Sequence, residues 1–506
     1  MPYAINTNII AMQTQNNLQN SQSSLANSIQ RLSSGLRINS AQDDPAGLAI
    51  AARMTSQLNG LNQAGNNANT GVSMLQTADG GLASTTSLLQ SMRGLAVEAA
   101  NGTNSTTDLA SLQAQITQLQ AQVQQIATTT QYNGINLVDG SLSNLQFQVG
   151  ANAGQTINFG IANAQQTAIG NNSVALNGVA GNTAGSAISD VGAAALVGAE
   201  VNNLQATTLS ISGNGQNYVV GGGGGIAVGA SAQTVAAAVN SGSATTGVTA
   251  SASTQAVLSL TASGNVNFSI VGTATANISA SYSASAGYAS LVSAINQQTG
   301  NTGVTAAIGQ GGVVLSNSTG ANIDIRNTGA AANIKLAGFT SAGAVDTTNQ
   351  VTLAAAGGTS GAVVGGTLQF NSSNGFSVTD SVGTGLFSAT GTTGSTLGSV
   401  GSVNVTTVTN GIPTGANAAL LIIDAAINNI NASRANIGAL QNRFTASARN
   451  LQTSSLNLAS SLSTQQDTNF ATETTNLSRS QILQQAGTAM LAQANSLPNG
   501  VLALLR

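Results

Sequence analysis

Apolar residues recur every seven positions along two long segments of this sequence, one near each end. The first segment carries Met54, Leu61, Ala68, Leu75, Leu82, Leu89 and Ala96, and the second carries Ile423, Ile430, Ile437, Phe444, Leu451 and Leu458. Such a repeat is typical of long helices packed side by side, because it keeps one apolar stripe facing the neighbouring helix. A third segment has the same alternation of three and four residues, at Leu109, Leu112, Ile116, Leu119, Val123 and Ile126. The spacing predicts a helical bundle formed by both ends of the chain.

Shorter apolar stripes lie outside these segments, at the two extreme ends of the sequence. The N-terminal stripe contains Leu18, Leu25, Ile29, Leu32 and Leu36, and the C-terminal stripe contains Ile482, Met490, Leu497, Leu502 and Leu505. Two such helices alone bury too little apolar surface to offset an ordering cost of roughly 1–2 kcal/mol per residue. We therefore expect the terminal helices to be disordered in an isolated subunit, and these ten residues to be buried by other copies of the chain.

The middle of the sequence has a different character. No residue between Glu200 and Asp324 is charged, and short alternating runs are separated by Gly and Asn. This pattern predicts strands joined by hairpins at 208–220 and at 256–271. An internal repeat also aligns the TGVTA of 246–250 with the TGVTA of 302–306. It predicts two related modules, near 235–271 and 291–326, each made of a short helix, a strand and a hairpin.

The expected fold class is therefore multidomain α+β, with a long α-helical coiled-coil bundle formed by both chain ends and a β-rich insert in the middle. The expected order of regions follows from where the seven-residue spacing begins and ends. It is a terminal helix over 1–45 that pairs with 460–506, a helical bundle and β-hairpin region over 46–175, a variable β-rich outer region over 176–410, a returning bundle helix over 411–459, and a terminal helix over 460–506.

Composition excludes several classes of function. The net charge is −3 and charged residues make up 5% of the chain, which favours neither a nucleic-acid partner nor an acidic membrane surface. The sequence contains no His and no Cys, so it has neither a His general base nor a thiolate ligand. No run reaches the roughly 18 residues of a membrane-spanning helix. We therefore expect no membrane insertion.

The acidic and glycine-rich motifs favour structural roles. Asp43 and Asp44 directly precede Pro45, which is typical of a turn and a helix N-cap. The five glycines at 221–225 lack the Lys of a phosphate-binding loop, and Asp324 and Asp346 lack the spacing of a calcium loop. We expect no enzyme activity, no catalytic residue, no metal site and no cofactor.

Three stretches closely resemble the ends of bacterial flagellins. They are RLSSGLRINSAQDDPAGLAIA at 31–51, QNRF at 441–444, and DTNFATETTNLSRSQILQQAGTAMLAQANSLPNGVLALLR at 467–506. The TGVTA repeat with its flanks resembles the flagellin hook-type module found in the variable middle of this family. Because the matches lie in order at opposite ends of the chain, the resemblance is specific.

The resemblance implies a structural subunit that self-assembles into the helical flagellar filament used for swimming. Flagellins are secreted by the flagellar type III apparatus without a cleaved signal peptide, and residues 1–10 contain no basic segment of a secretory signal. The implied partners are the chain itself, the filament cap protein, hook–filament junction proteins and an export chaperone. The implied location is the extracellular filament.

Alternative functions differ in their requirements. A hook–filament junction protein has flagellin-like ends but would match the C-terminal motif more weakly. A filament subunit whose outer region acts as an adhesin is compatible with the composition. A peptidase carried by the middle region would need His ligands for zinc, which the sequence lacks.

One segment resembles the patch that some flagellins present to the innate receptor Toll-like receptor 5. It reads LLQSMRGLAVEAA at 88–100 and retains Arg93 and Leu95. In the family, the patch usually carries a second Arg and a Glu where this chain has Ser91 and Gly94. Gln115 also stands where an acidic residue is common. The resemblance therefore implies weakened recognition by this receptor.

Overall fold

The structure is a computed structural model of the 506-residue chain. It describes residues 7–176, 188–191, 202, 204, 206–272, 274–285, 287–309, 311–328, 334–339, 345, 350–353, 360–381, 391–409 and 413–503. These divide into two compact units. The first comprises Met1–Gln76, Asn144–Gly160 and Gly438–Arg506, and the second comprises Thr77–Ser143 and Ile161–Ile437.

Long helices come from both ends of the chain and short helices from the middle. They are α1 (Ile9–Ser34), α2 (Pro45–Ala99), α3 (Thr106–Thr129), α4 (Ala232–Asn240), α5 (Ser243–Thr246), α6 (Ala289–Asn296), α7 (Thr299–Thr302), α8 (Thr414–Gln466) and α9 (Phe470–Ala503). No proline interrupts the sequence between Pro45 and Pro413, which allows α2 to continue for 55 residues.

The described strands lie between α3 and α8. They are β1 (Gln131–Tyr132), β2 (Ile135–Asn136), β3 (Leu145–Gln148), β4 (Thr156–Phe159), β5 (Gly170–Leu176), β6 (Ile188–Val191), β7 (Leu209–Gly213), β8 (Gln216–Val220), β9 (Thr249–Leu260), β10 (Gly264–Val271), β11 (Thr275–Tyr282), β12 (Thr305–Gly309), β13 (Gly312–Asn317), β14 (Ile323–Asn327), β15 (Ile334–Ala337), β16 (Val351–Leu353), β17 (Ser360–Val364), β18 (Thr367–Ser372), β19 (Phe376–Asp380), β20 (Gly391–Gly394) and β21 (Thr396–Ser399). Helical ends around a β-rich middle confirm the predicted fold class.

Antiparallel pairing builds three larger sheets in the second unit. One has the order β12-β13-β9-β18-β5-β21, with β15 also paired to β9 and β16 paired to β15. The others have the orders β11-β10-β14-β17-β6 and β20-β19-β7-β8. Two large cores lie among the described strands, one containing Ile211 and Phe370 and the other containing Phe268 and Leu315, and Val257, Val314 and Phe339 form a smaller one.

Side chains fix where the long helices begin. The Asp44 carboxylate accepts a hydrogen bond from the Gly47 N–H at 2.8 Å, which confirms the predicted N-cap of α2. At the start of α3, Ser105 and Asp108 form a reciprocal capping box. Hydrogen bonds to Asp108 from the Ser105 hydroxyl and then from the Ser105 N–H lower the pKa of that carboxyl.

The predicted seven-residue stripes are buried along most of α2 and α8. Residues 0–2% exposed include Ala68, Leu75, Leu82, Leu89, Ala96, Ile423, Ile430, Ile437 and Phe444. In α3 the prediction is confirmed for Leu109, Leu112, Ile116 and Val123, which are buried. It is wrong for Leu119 and Ile126, which are half-buried, while Gln120 and Ala127 are buried in their place. A straight helix has 3.6 residues per turn, so the buried face drifts away from a strict 3.5-residue spacing.

Three aromatic rings lock the hairpin of β3 and β4 onto α8 in the first unit. The Phe444 ring centroid lies 5.5 Å from that of Phe147 and 5.7 Å from that of Phe159, both in edge-to-face contact. Gly71 of α2 faces the same ring, and a Cβ atom there would lie 2.9 Å from it. The close approach of α2 to this cluster therefore depends on a glycine.

The two predicted hairpins have different outcomes. β7 and β8 pair directly around Asn214 and Gly215, whose positive φ angles of 52° and 72° suit a tight two-residue turn. The hairpin predicted at 256–271 is wrong, because β9 pairs with β13, β15 and β18, whereas β10 pairs with β11 and β14. The chain passes from one sheet to another between β9 and β10.

The two copies of the internal repeat share one pattern of hydrogen bonds. Asn240, at the end of α4, accepts a hydrogen bond from the Ala250 N–H at 2.7 Å and donates one to the Ala250 carbonyl at 2.9 Å. Asn296, at the end of α6, makes the same two bonds to Ala306, at 2.7 and 2.9 Å. Each asparagine thus joins the end of a helix to the strand that follows it. The hairpin predicted to end each module is absent here, because β13 and β14 also belong to different sheets.

We expect Asn240→Ala and Asn296→Ala to destabilise the second unit by similar amounts. Each removes two hydrogen bonds to partly buried backbone groups, so each should lower the free energy of unfolding by about 1–3 kcal/mol. Chemical denaturation measures this quantity. The control is Asn265→Ala, at an exposed position of β10, and losses no larger than that of the control would contradict the structural role of the repeat.

Candidate assembly interface

The two terminal helices pack against each other within one chain. The Asn8 side chain donates a hydrogen bond to the Ala494 carbonyl at 2.8 Å, near the start of α1 and towards the end of α9. Near the middle of the pair, Leu18 lies over Gly487, where a Cβ atom would be 3.2 Å from the leucine methyl group. Helices from opposite ends of the sequence therefore form one antiparallel pair.

The base of this pair is held by two turns that contact each other. The Arg37 N–H donates to the Gln466 carbonyl at 2.7 Å, and the Arg37 guanidinium donates to the Gln465 carbonyl at 2.6 Å. In return, the Thr468 N–H donates to the Gly35 carbonyl at 2.9 Å. The turn between α1 and α2 is thereby joined to the turn between α8 and α9.

Asp43 stabilises the first of these turns. Its carboxylate accepts hydrogen bonds from the N–H of Ser40 at 2.9 Å, the N–H of Asn39 at 3.1 Å and the hydroxyl of Ser40 at 3.0 Å. These bonds, led by the backbone N–H of Ser40, lower the pKa of Asp43. The motif at 31–51 thus supplies both the turn and the cap of the helix that follows.

The predicted assembly residues fall on different sides of the pair. Leu18, Leu25, Leu32 and Leu36 are half-buried, whereas Ile29 is 51%, Ile482 65% and Met490 59% exposed. Leu497 and Leu502 lie in α9, but their side chains are outside the described residues, as is Leu505. Within the described part of the stripes, the apolar residues of α9 face outward.

The side of α9 that faces α1 is formed by small and polar residues. Glu473, Ser480 and Ala494 are 7%, 7% and 2% exposed, and with Gly487 they are spaced by seven. At about 100° per residue, Ile482 is half a turn away from Glu473 and lies on the opposite side of the helix. The sequence analysis did not identify this side of α9, because it considered only apolar residues. These small and polar residues nevertheless recur every seven positions.

Sequence reasoning also missed further apolar residues on the outer surface of the pair. These are at least 46% exposed, in an isolated chain where large apolar side chains are usually covered, and they comprise Ile9, Ile10, Met12, Phe470 and Leu483. Exposed apolar surface that is concentrated on neighbouring elements is typical of a protein–protein contact. The outer surface of α1 and α9 is therefore the candidate assembly interface.

The predicted receptor patch lies on α2 in the second unit. Arg93 forms an ion pair with Asp424 of α8 at 2.6 Å, with both side chains about half exposed. The hydrogen bond to Asp424 raises the pKa of Arg93. Leu95 is half-buried, whereas Ser91, Gly94 and Gln115 are exposed.

Asp324 and the glycine run, which were considered for cation and phosphate binding, have structural roles. Asp324 forms an ion pair with Arg326 at 2.8 Å, and Asp346 lies outside the described residues. Gly222–Gly224 forms a short 3-10 turn. Among the described residues, no three acidic, His or Cys side chains are grouped closely enough to hold a metal ion.

Of the described helices, none combines the length and hydropathy needed to cross a membrane.

Family models match both ends and part of the middle of the chain. The bacterial flagellin N-terminal helical region matches residues 5–143, and the bacterial flagellin C-terminal helical region matches residues 420–505. The flagellin hook IN motif matches residues 208–264. The matched ends contain the two helices of the candidate interface.

Two curated relatives match over their full length. The chain is 37% identical to the B-type flagellin of Pseudomonas aeruginosa and 33% identical to the flagellin of Salmonella typhimurium, and each match covers 100% of both chains. The solved junction protein FlgL from Legionella pneumophila is 13% identical, covering 83% of this chain and 100% of that chain with a TM-score of 0.33. That likeness is too remote to support the junction-protein alternative. From the full-length matches at both ends and across the middle, the chain belongs to the bacterial flagellin family.

Proposed function

We propose that the outer surface of α1 and α9 carries the contacts by which this flagellin assembles into the flagellar filament. As a flagellin, the chain is a structural subunit of that filament. The single observation that supports the location of the contacts is the exposed apolar side of the terminal pair. Ile482, Leu483 and Met490 lie along one side of α9 and are 51–65% exposed.

In this proposal, assembly is driven by the burial of these apolar side chains against a second copy of the chain. Removing a large apolar side chain from water stabilises by about 1.5–3 kcal/mol, and several such residues are exposed on each subunit. Leu18, Leu25, Leu32 and Leu36 have a second role in this proposal, because they hold α1 against α9. Leu497, Leu502 and Leu505 extend the proposed interface beyond the side chains that the structure describes.

Seeded polymerisation tests this assignment. The full chain, added to short filament fragments, should extend them, whereas a chain lacking residues 1–34 and 470–506 should remain monomeric. Electron microscopy and sedimentation measure the growth, and circular dichroism establishes that the shortened chain is folded. Growth of the folded, shortened chain at the full-length rate would contradict the proposal.

The remaining partners and the route to the outside belong to the same proposal. We infer export in an unfolded state to the extracellular filament, with an export chaperone, the cap protein and junction proteins as partners. The sequence contains no Cys, so refolding after export needs no disulfide formation. Residues 176–410 would form the outer region of the subunit, between the bundle segments 46–175 and 411–459.

Recognition by Toll-like receptor 5 is expected to be weak in this chain and to increase in Ser91→Arg/Gly94→Glu. Both positions are exposed on α2, and no atom lies within 4 Å of a Cβ placed at Gly94, so the larger side chains fit. They would add charged hydrogen-bonding groups beside Arg93. A reporter-cell assay measures the signal, with Ser84→Arg as an exposed control. An unchanged signal would mean that this patch does not limit recognition.

A further inference from the structure

Asparagine followed by glycine occurs eight times in the sequence, and one such pair lies in the loop between α2 and α3. This pair is Asn101–Gly102, and both residues are exposed. The Thr103 N–H donates to Oδ1 of Asn101 at 3.4 Å, which folds the side-chain amide back over the peptide that follows. The amide carbon is thereby brought towards the backbone nitrogen of Gly102.

The reacting groups of this pair are accessible. Among the described residues, neither the Gly102 N–H nor the Asn101 NH₂ group makes a hydrogen bond. No atom lies within 4 Å of a Cβ placed at Gly102, so nothing crowds the backbone beside the nitrogen. Two turn hydrogen bonds, of 3.1 and 3.2 Å, hold the Asn101 backbone. Both lie outside the helices, so opening them leaves α2 and α3 intact.

We propose that Asn101 is a site of spontaneous deamidation through a succinimide. The Gly102 nitrogen loses its proton to hydroxide and forms a bond with the Asn101 amide carbon, whose NH₂ group takes up a proton and leaves as ammonia. Water then adds to one of the two ring carbonyl carbons and breaks its bond to the nitrogen, which gives aspartate or isoaspartate. The net reaction exchanges NH₂ for OH from water and involves no oxidation. It proceeds in the isolated subunit and is independent of the proposed assembly.

The other Asn–Gly pairs with described side chains are held by the fold. Gly60 lies inside α2, where its N–H is bonded within the helix. Asn133 and Asn214 have φ angles of 51° and 52° in the tight turns of β1–β2 and β7–β8, and strand pairing beside each turn maintains those angles. The Asn374 NH₂ donates to Oδ1 of Asn214 at 3.0 Å, so one bond engages both amides. Ring closure at these sites must first break helical, strand-pairing or amide contacts.

The product should carry an altered charge and remain folded. The loop already lies between the exposed side chains of Glu98 and Asp108, and the conversion adds a third carboxylate to it. In the isoaspartate form, the main chain also runs through the former side chain and is one carbon longer. Because Asn101 lies outside both helices, the melting temperature should be unchanged, whereas anion-exchange chromatography should separate the converted chains.

Peptide mapping of the full chain tests the proposal, after the unassembled subunit has been incubated at mildly alkaline pH. Mass spectrometry of the proteolytic peptides measures aspartate and isoaspartate at each Asn–Gly pair. Conversion at Asn101 should be about tenfold faster than at any other pair with described side chains, because those pairs must first lose contacts. The rate should rise with pH, since the attacking nitrogen has to lose its proton, and isoaspartate should form beside aspartate.

Gly102→Ala examines the role of the attacking nitrogen. The added methyl group fits the open space at this position but hinders the approach of the nitrogen, so conversion at Asn101 should fall several-fold. Gly94→Ala, at an exposed and equally open position of α2, should leave that conversion unchanged. Circular dichroism establishes that both variants are folded.

Three results would overturn the proposal. The first is conversion at Asn133, Asn214 or Asn374 that is as fast as at Asn101. The second is an unchanged rate in Gly102→Ala. The third is aspartate formed without isoaspartate, because direct hydrolysis of the amide involves no ring. None of these results bears on filament assembly, which is measured with freshly prepared subunits.

Discussion

Filament growth should stop in the double variant Ile482→Asp/Met490→Asp, while the subunit remains folded. The two side chains are 65% and 59% exposed, so the isolated chain can hold carboxylates at these positions in water. In the assembled state each carboxylate would be buried in an apolar contact, at a cost of several kcal/mol. Since each 1.4 kcal/mol changes an equilibrium constant tenfold, the critical concentration should rise by more than about 100-fold.

A matched control separates this effect from that of added charge. Thr488→Asp/Ala492→Asp places the same two charges on exposed positions of the other side of α9. Sedimentation of seeded reactions gives the critical concentration of each variant, and thermal melting measures the stability of the subunit. Equal loss of growth in the two double variants would mean that the interface is not confined to the side bearing Ile482.

Removal of the Phe444 ring should cause a large loss of stability in the first unit. Phe444 is 0% exposed and contacts the rings of Phe147 and Phe159. Phe444→Ala leaves a cavity between the hairpin and α8, and such substitutions lower the free energy of unfolding by about 3–5 kcal/mol. Gly71, which approaches the ring, has no side chain that could fill the space.

Denaturation of the Phe444→Ala subunit is compared with that of Leu456→Ala. Leu456 lies on the same helix and is 65% exposed, so its substitution should change the free energy of unfolding by less than about 0.5 kcal/mol. A small effect of Phe444→Ala, similar to that of Leu456→Ala, would mean that the aromatic cluster does not hold the hairpin in place.

Local patterns in the sequence were sufficient to predict the long helices and the start of α2. The spacing by seven identified the residues that α2 and α8 bury, because the period of a helix is a property of the backbone. Asp44 indicated the start of α2, since an N-cap acts on an N–H within the next turn. The hairpin of β7 and β8 was predictable because Asn214 and Gly215 favour the backbone angles of its turn.

Strand pairing between distant segments was not predictable from the same patterns. The turn residues at 261–265 resemble a hairpin turn, but β9 has its neighbours in β13, β15 and β18. Which strands become neighbours depends on contacts formed across the whole middle region. The buried face of α3 reaches Gln120 because it follows the 3.6-residue period of the helix, but the partner of that side chain, the Val400 carbonyl at 2.7 Å, could not be read from the sequence.

At the termini, the sequence by itself determined that both ends form helices with apolar stripes, and which family has such ends. Only the tertiary structure decided which side of each helix is used within the chain. α1 directs Leu18, Leu25 and Leu32 towards the pair, where small residues such as Gly487 allow close packing. α9 fills its inner side with Glu473 and Ser480 and leaves Ile482 outside. An apolar stripe shows that a segment is helical, but it does not show which side of the helix packs within the chain. That side is set by the partner against which the helix packs.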